Sequence, residues 1–343
     1  FEKIISWVRF TNFLKALFWN LVSILFLSAL TPSLLFGFFT SIKTKGIPFI
    51  SKIISGLNSS SSFLYVNSVT TLNLLFENYT LSEQEAYQIM VEISEEKYSA
   101  VELASFLTVF NMRNITLNEL KGYRKALLEL CKTVDLPRNA IDVVGTGGDG
   151  KDTFNISTLS CFVLAGAGEK VVKQGNYGAS SVSGSSNMLE SFGYEFSTDQ
   201  DKLQKEFDQA GITFLHAPLF HPALAKVAPI RKGLAVKTFF NLMGPLVNPV
   251  QPQFQNLGTY DVKTAWLYHY VMQNSGVHYS ISTALAGYDE ISLTSPTKVY
   301  NNSGEYILQS EDFGFKTIQP DEIKGGESIA DNAKLFLNIL ENN

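Results

Sequence analysis

The stretch DVVGTGGDGKDTFNIST, from Asp142 to Thr158, holds four glycines and then Asn155, Ser157 and Thr158. Glycines let backbone N–H groups turn inward and approach a ligand closely, and a concavity of such groups binds anions. Asn155, Ser157 and Thr158 stand where a helix begins, and a helix start adds free N–H groups and a positive dipole end. This chemistry suits a phosphorylated ligand. Two common phosphate motifs fit poorly. The Gly-x4-Gly-Lys-Ser/Thr pattern needs a hydroxyl at position 152, which is Asp152. The Gly-x-Gly-x-x-Gly pattern is met by Gly145, Gly147 and Gly150, but Asp149 inside it would repel a pyrophosphate unless a cation intervened.

Two further clusters point the same way. KQGNYGASSVSGSSNMLE (Lys173–Glu190) sets a lysine at the end of a strand, before a second Gly/Ser/Asn loop that enters a helix. Lys173 offers a point charge for a phosphate. AGYDEISLT (Ala286–Thr294) places Asp289 and Glu290 just after a strand. Alone, such a pair is a solvated turn; beside a phosphate it suits Mg²⁺, which takes carboxylates, waters and substrate oxygens.

These loops need elements to hold them. LSEQEAYQIMVEI and TLNELKGYRKALLEL each open with capping-box spacing, Ser82 with Glu85 and Thr116 with Glu119, and continue with apolar residues at helical spacing. SAVELASFLTVFNMR lies between them and reads as a third helix, so residues 70–132 form a helical unit. The period then changes. Strands are expected at Ala140–Val144, Lys170–Gln174, Ile212–Ala217 and Tyr279–Ala286. Helices are expected at Ser157–Gly168, Ser186–Gly193 and Ala265–Asn274. Alternation of this kind predicts an α/β fold with a mostly parallel central sheet, flanking helices and a small all-helical N-terminal domain.

Charge divides the chain. Residues 1–66 carry six lysines and arginines against one glutamate, a net of +5, while the whole chain stands at −5. The folded part is therefore acidic, which argues against a nucleic-acid-binding role. Ala16–Ile42 has no charge, and Lys15, Lys43 and Lys45 flank it. Its length suits a membrane anchor, but its composition favours a non-native or incidental segment. Ser55–Ser68 reads as a linker. A membrane partner follows only if residues 16–42 are a real anchor. Cys131 and Cys161 have no metal-like spacing and read as reduced thiols of a cytoplasmic protein.

From about Val69 to about Leu340 the chain resembles the anthranilate phosphoribosyltransferases of tryptophan biosynthesis. The resemblance rests on GTGGDG, NIST, KQGNYG, SGSSNMLE, FLHAPLFHPALAKVAPIRKGLAVKTFFNLMGPLVNP and GYDEISLT. The Thr238–Pro249 segment is highly specific, whereas the related pyrimidine nucleoside phosphorylases share the glycine loop and the lysine-containing loop. The resemblance implies transfer of the phosphoribosyl group of phosphoribosyl pyrophosphate to the amine of anthranilate, with Mg²⁺. It implies a small helical domain at 67–136, joined by helices from about 218–236, an α/β domain at 137–343, and a homodimer through the helical domains.

Residue roles carry over in the same way. Gly145, Gly147 and Gly148 would turn amides toward the pyrophosphate, and Asp149 would meet the ribose or pyrophosphate. Thr153, Asn155, Ser157, Thr158 and Lys173 would contact substrate phosphates or metal, Ser157 as the metal-side hydroxyl. Asp289 and Glu290 would hold Mg²⁺. Asn176, His221, Pro245 and Arg231 would line the anthranilate site, the Arg231 guanidinium matching a carboxylate. Lys173, Asp149 and Arg231 are carried over as catalytic.

The chain departs from the family's usual pattern at Gln174 (usually His), at Ala235 and Lys237 (usually Gly and Arg) and at Ala286. If the family glycine takes a positive φ, Ala235 lowers stability. The family also continues past AKLFLNIL with further helices, so a C-terminally truncated α/β domain with exposed apolar surface is expected. The alternatives are a nucleoside phosphorylase, against which Arg231 and Thr238–Pro249 speak, a non-catalytic nucleic-acid-binding relative, and an inactive one.

Overall fold

A computed structural model describes residues 68–178 and 181–341. The uncharged run 16–42 and the linker reading of 55–68, save its last residue, lie outside the described residues. Among the described residues no helix is long and apolar enough to cross a membrane.

Among the described residues four helices come first: α1 (Ser68–Phe76), α2 (Glu83–Ser94), α3 (Ala100–Met112) and α4 (Leu117–Glu129). Both expected capping boxes form, and a third, Ser99 with Glu102, starts α3. Helices α2 and α4 pack closely because Gly122 faces α2, where a Cβ would collide with Glu83 O and Ala86 Cβ. Glu119 is fully buried, and its carboxylate accepts from Leu81 N, Thr116 N and the Arg113 guanidinium. Such a charge is tolerated inside only when paired and hydrogen-bonded in this way.

The rest alternates: β1 (Ile141–Gly145), α5 (Ile156–Gly166), β2 (Val171–Gly175), α6 (Ser185–Ser191), α7 (Gln200–Ala210), β3 (Ile212–His216), the short α8 (Ala217–Phe220), α9 (Pro222–Leu234), β4 (Phe254–Gly258), α10 (Val262–Met272), β5 (His278–Ala284), β6 (Thr297–Asn301), β7 (Gly304–Leu308) and α11 (Ile329–Leu340). One seven-stranded sheet runs β3-β2-β1-β4-β5-β6-β7. The first five strands are mutually parallel and the last two pair antiparallel.

The alternation predicts four of these strands; β4, β6 and β7 are additional. Strand order reverses between β1 and β4, so their carboxyl ends open a crevice, the usual ligand position in such sheets. The glycine loop leaves β1 at that point.

Helix α9 and the 3₁₀ turn Phe239–Leu242 pack on the first four helices although they are far away in sequence. Tyr123 stacks on Phe239 with ring centroids 4.9 Å apart, and Ala223 and Val227 of α9 join the same core. That core continues through Leu257, Tyr268 and Ile281 into the sheet. On the sheet's face beside α5, a groove of about 610 Å³ is lined by residues such as Val143, Leu159, Val163, Phe254 and Tyr279.

Candidate active site

A cleft of about 280 Å³ lies at the carboxyl ends of β1 and β2. One wall is the glycine loop, the start of α5 and the loop after β2. The other is Leu224, Ala225, Ala228 and Arg231 of α9, then Phe240, Asn241, Gly244 and Pro245.

The glycine loop presents donors without partners. Thr146 N is used by Gly258 O, and Gly147 N donates to Asp289 Oδ2 at 2.7 Å. The N–H groups of Gly148, Asp149 and Gly150 have no acceptor among the described residues. Gly147, Gly148 and Gly150 all take positive φ, which turns successive amides to one side. The open amides therefore begin at Gly148, while the Gly147 amide is taken by Asp289. Gly145 serves the site by its missing Cβ, since any side chain there would collide with the Asp289 carboxylate.

Helix α5 starts without a side-chain cap. Ser157 N and Thr158 N have no acceptor among the described residues, and Thr158 Oγ1 is buried without a partner. This helix start is an anion site whose cap a phosphate can supply. The Asn155 amide nitrogen does not join it: Nδ2 donates to Ser183 O at 2.9 Å, tying the two loops together. Its unpartnered atom is Oδ1, an acceptor, which suits a ribose hydroxyl better than a phosphate.

Lys173 is 1% exposed. Its Nζ donates to Val143 O at 2.6 Å and lies 3.5 Å from Ser157 Oγ. Lys173 lines the floor of the cleft, where its ammonium can meet an anion as a point charge.

Carboxylates meet beside it. Asp149, Asp289 and Glu290 each bring an oxygen within 4.8 Å of the others. Burial, and then the neighbouring Asp289, push the Glu290 carboxyl well above its usual range; burial also raises Asp149. Asp149 Oδ2 and Glu290 Oε2 are buried with no hydrogen-bond partner. Three hard oxygen donors, two of them unsatisfied, fit a divalent cation such as Mg²⁺. The sequence paired Asp289 with Glu290; the structure adds Asp149, which loop geometry alone did not reveal. Ser157 lines the same cleft, with its hydroxyl against Lys173.

Across the cleft, Arg231 Nη2 donates to Asn241 Oδ1 at 3.1 Å, and its guanidinium carbon lies 5.8 Å from the centre of the Phe240 ring. Phe240 and Asn241, in the Thr238–Pro249 segment, line the cleft as well. Asn176 and Thr153 line the cleft as expected.

His221 does not. It is 1% exposed, outside the lining, with Nε2 3.4 Å from Gln174 Nε2. Burial pushes its imidazole down to about 4. Position at the start of α9 placed it in the interior, so it supports Gln174, which does line the cleft.

Residues 137–343 match the glycosyl transferase family, a/b domain, and residues 69–131 its helical bundle domain. The chain is 54% identical over 272 residues to the anthranilate phosphoribosyltransferase of Flavobacterium johnsoniae, covering 79% of this chain and 82% of that protein. It is 56% identical over 270 residues to that of Flavobacterium psychrophilum, covering 78% and 82%. Among solved structures it is similar to the Thermus thermophilus anthranilate phosphoribosyltransferase (TM-score 0.72, 32% identity, 80% of this chain and 82% of that one). It is also similar to the Saccharomyces cerevisiae enzyme in complex with phosphoribosyl pyrophosphate and Mg (TM-score 0.73, 26% identity, 80% and 81%).

Proposed function

The chain belongs to the anthranilate phosphoribosyltransferase family, and from that premise we infer how its own residues carry out the reaction. It transfers the phosphoribosyl group of phosphoribosyl pyrophosphate to the amine of anthranilate and releases pyrophosphate, a step of tryptophan biosynthesis.

The amides of Gly148, Asp149 and Gly150 and the start of α5 bind the phosphates, with Ser157, Thr158 and Thr153 beside them. Asp149, Asp289 and Glu290 would hold Mg²⁺, which would supply positive charge to offset that of the departing pyrophosphate. Lys173 adds a fixed charge on the same side, so negative charge developing on the leaving group meets a preorganised field. Arg231 receives the anthranilate carboxylate. Asn241 and Phe240 fix the guanidinium, and Pro245 gives the aromatic ring an apolar wall with Asn176 opposite. This directs the amine at the ribose C1, which gains positive charge as the bond to pyrophosphate breaks. An arylamine is nucleophilic when neutral, and its proton is lost after the new C–N bond forms. We assign no general base.

A homodimer through the helical part fits the exposed apolar side chains there, such as Val101 (76%) and Met112 (85%) of α3. The two free thiols agree with a cytoplasmic location.

The observation that carries this reading is the facing of Arg231 against the open amides and carboxylates across one cleft. Arg231→Ala should raise the anthranilate KM on the order of a hundredfold and leave the phosphoribosyl pyrophosphate KM nearly unchanged. Equal losses for both substrates would remove Arg231 from its role.

A further inference from the structure

Glycines occupy Gly147, Gly148 and Gly150, all at positive φ. Little in such a stretch resists rotation of a peptide plane. An amide that faces the cleft in one orientation faces away in the other, so something outside the loop must select the orientation.

Lys237 lies on the linker between α9 and the 3₁₀ turn, exposed and outside the lining of the cleft. Its Nζ donates to Gly148 O. Its stem passes close to Gly148, since a Cβ built there would lie 3.3 Å from Lys237 Cε. The ammonium also sits 5.3 Å from the centre of the Tyr260 ring. No carboxylate pairs with it among the described residues. This cation is committed to one backbone carbonyl and one aromatic face.

In a trans peptide the C=O and the following N–H point in opposite directions. Holding Gly148 O toward Lys237 therefore turns Asp149 N–H the other way. Asp149 N–H has no acceptor among the described residues. The carboxylate of the same residue is a member of the three-carboxylate cluster. One contact thus sets both an anion-binding amide and a carboxylate.

We propose that Lys237 is a positioning residue: by holding Gly148 O it locks the Gly148–Asp149 peptide in the orientation that binds the pyrophosphate of the substrate. Because Lys237 belongs to the α9 side, the lock also couples the glycine loop to the wall that carries Arg231. The proposal rests on the phosphoribosyl transfer reading for its ligand.

The test is calorimetric binding of inorganic pyrophosphate with Mg²⁺ to the full chain and to Lys237→Met and Lys237→Arg, with melting temperatures recorded. Methionine keeps most of the stem and removes the donor; arginine restores a donor. Lys237→Met should weaken binding about tenfold, the loss expected for one misaligned donor to an anion, at an unchanged melting temperature. Lys237→Arg should recover most of it. In steady-state rates Lys237→Met should raise the phosphoribosyl pyrophosphate KM and not that of anthranilate. Unchanged pyrophosphate binding in Lys237→Met, or equal loss in both variants, would overturn the proposal and leave the transferase reading standing. A parent chain that does not bind Mg²⁺-pyrophosphate would overturn both.

Discussion

At the scale of single residues, burial decides what each polar group can do. His221 and Lys173 both sit at 1% exposure, yet one is an uncharged support and the other a cleft lining. Burial holds the His221 imidazole at about 4, below its ordinary 6.5. The unfolded chain therefore binds more protons between those values. The stability from neutral His221 is complete above pH 6.5 and is lost as pH falls through 4, about 3 kcal/mol in all. Asp142 acts with opposite sign, since burial raises it from 3.8 to about 6. Its contribution is complete below 3.8 and is lost as pH rises through 6, so the difference between variants is the readout. Urea unfolding from pH 7 to 4.5 should show a weaker acid-side loss for His221→Gln than for the parent. Identical slopes would place the acid sensitivity elsewhere.

The carboxylates make a second prediction at this scale. Asp289→Asn with Glu290→Gln leaves a single ionisable carboxyl in the cluster and should raise the Mg²⁺ concentration needed for half-maximal rate at least tenfold. An unchanged Mg²⁺ dependence would take the pair out of the metal site. Both residues were visible in the sequence as an acidic pair after a strand. Asp149 was legible as a substrate-side residue of the glycine loop, not as a third member of this cluster. Its partnership with them depends on β4 lying between β1 and β5, which no local pattern records.

At the scale of elements, helices with capping boxes were the most legible, because Ser82, Ser99 and Thr116 each stand three residues before a glutamate. Strand β4 was the least. Its sequence, Phe254–Gly258, mixes Gln255 and Asn256 with apolar residues and shows no clean period. Yet β4 pairs with β1 along its length, Gly145 opposite Gly258, and both glycines exist to admit Asp289. Gly258→Ala would put a Cβ inside the van der Waals radius of Asp289 O. It should displace the Gly287–Glu290 turn, weaken Mg²⁺ binding and lower the melting temperature by several degrees. Normal stability would show that the turn can move without cost.

Ala235 is a strained position that the sequence did anticipate. It ends α9 at φ 54°, ψ 25°, a left-handed cap that favours glycine. Ala235→Gly should stabilise the chain by about 1 kcal/mol in urea unfolding. A loss of stability would mean that the backbone relaxes to suit alanine.

At the scale of the whole molecule, the site is a product of chain crossing. Residues 222–246 leave the sheet, pack on the four N-terminal helices and return, and so carry Arg231 across from the glycine loop. Sequence motifs marked both walls but not that they face each other; that follows from the shared core through Tyr123 and Phe239. The homodimer proposed above would use the exposed Val101 and Met112 as its contact. Val101→Glu with Met112→Glu should yield monomers in sedimentation, and a dimer that survives both changes would place the contact elsewhere.

The central claim is the reaction itself. Anthranilate fluorescence should be followed over time with the full chain, phosphoribosyl pyrophosphate and Mg²⁺, and with each component omitted in turn. The account predicts a decay that requires all of them and releases one pyrophosphate for each anthranilate consumed. Fluorescence that stays constant in the complete mixture, from a chain shown to be folded, would contradict it.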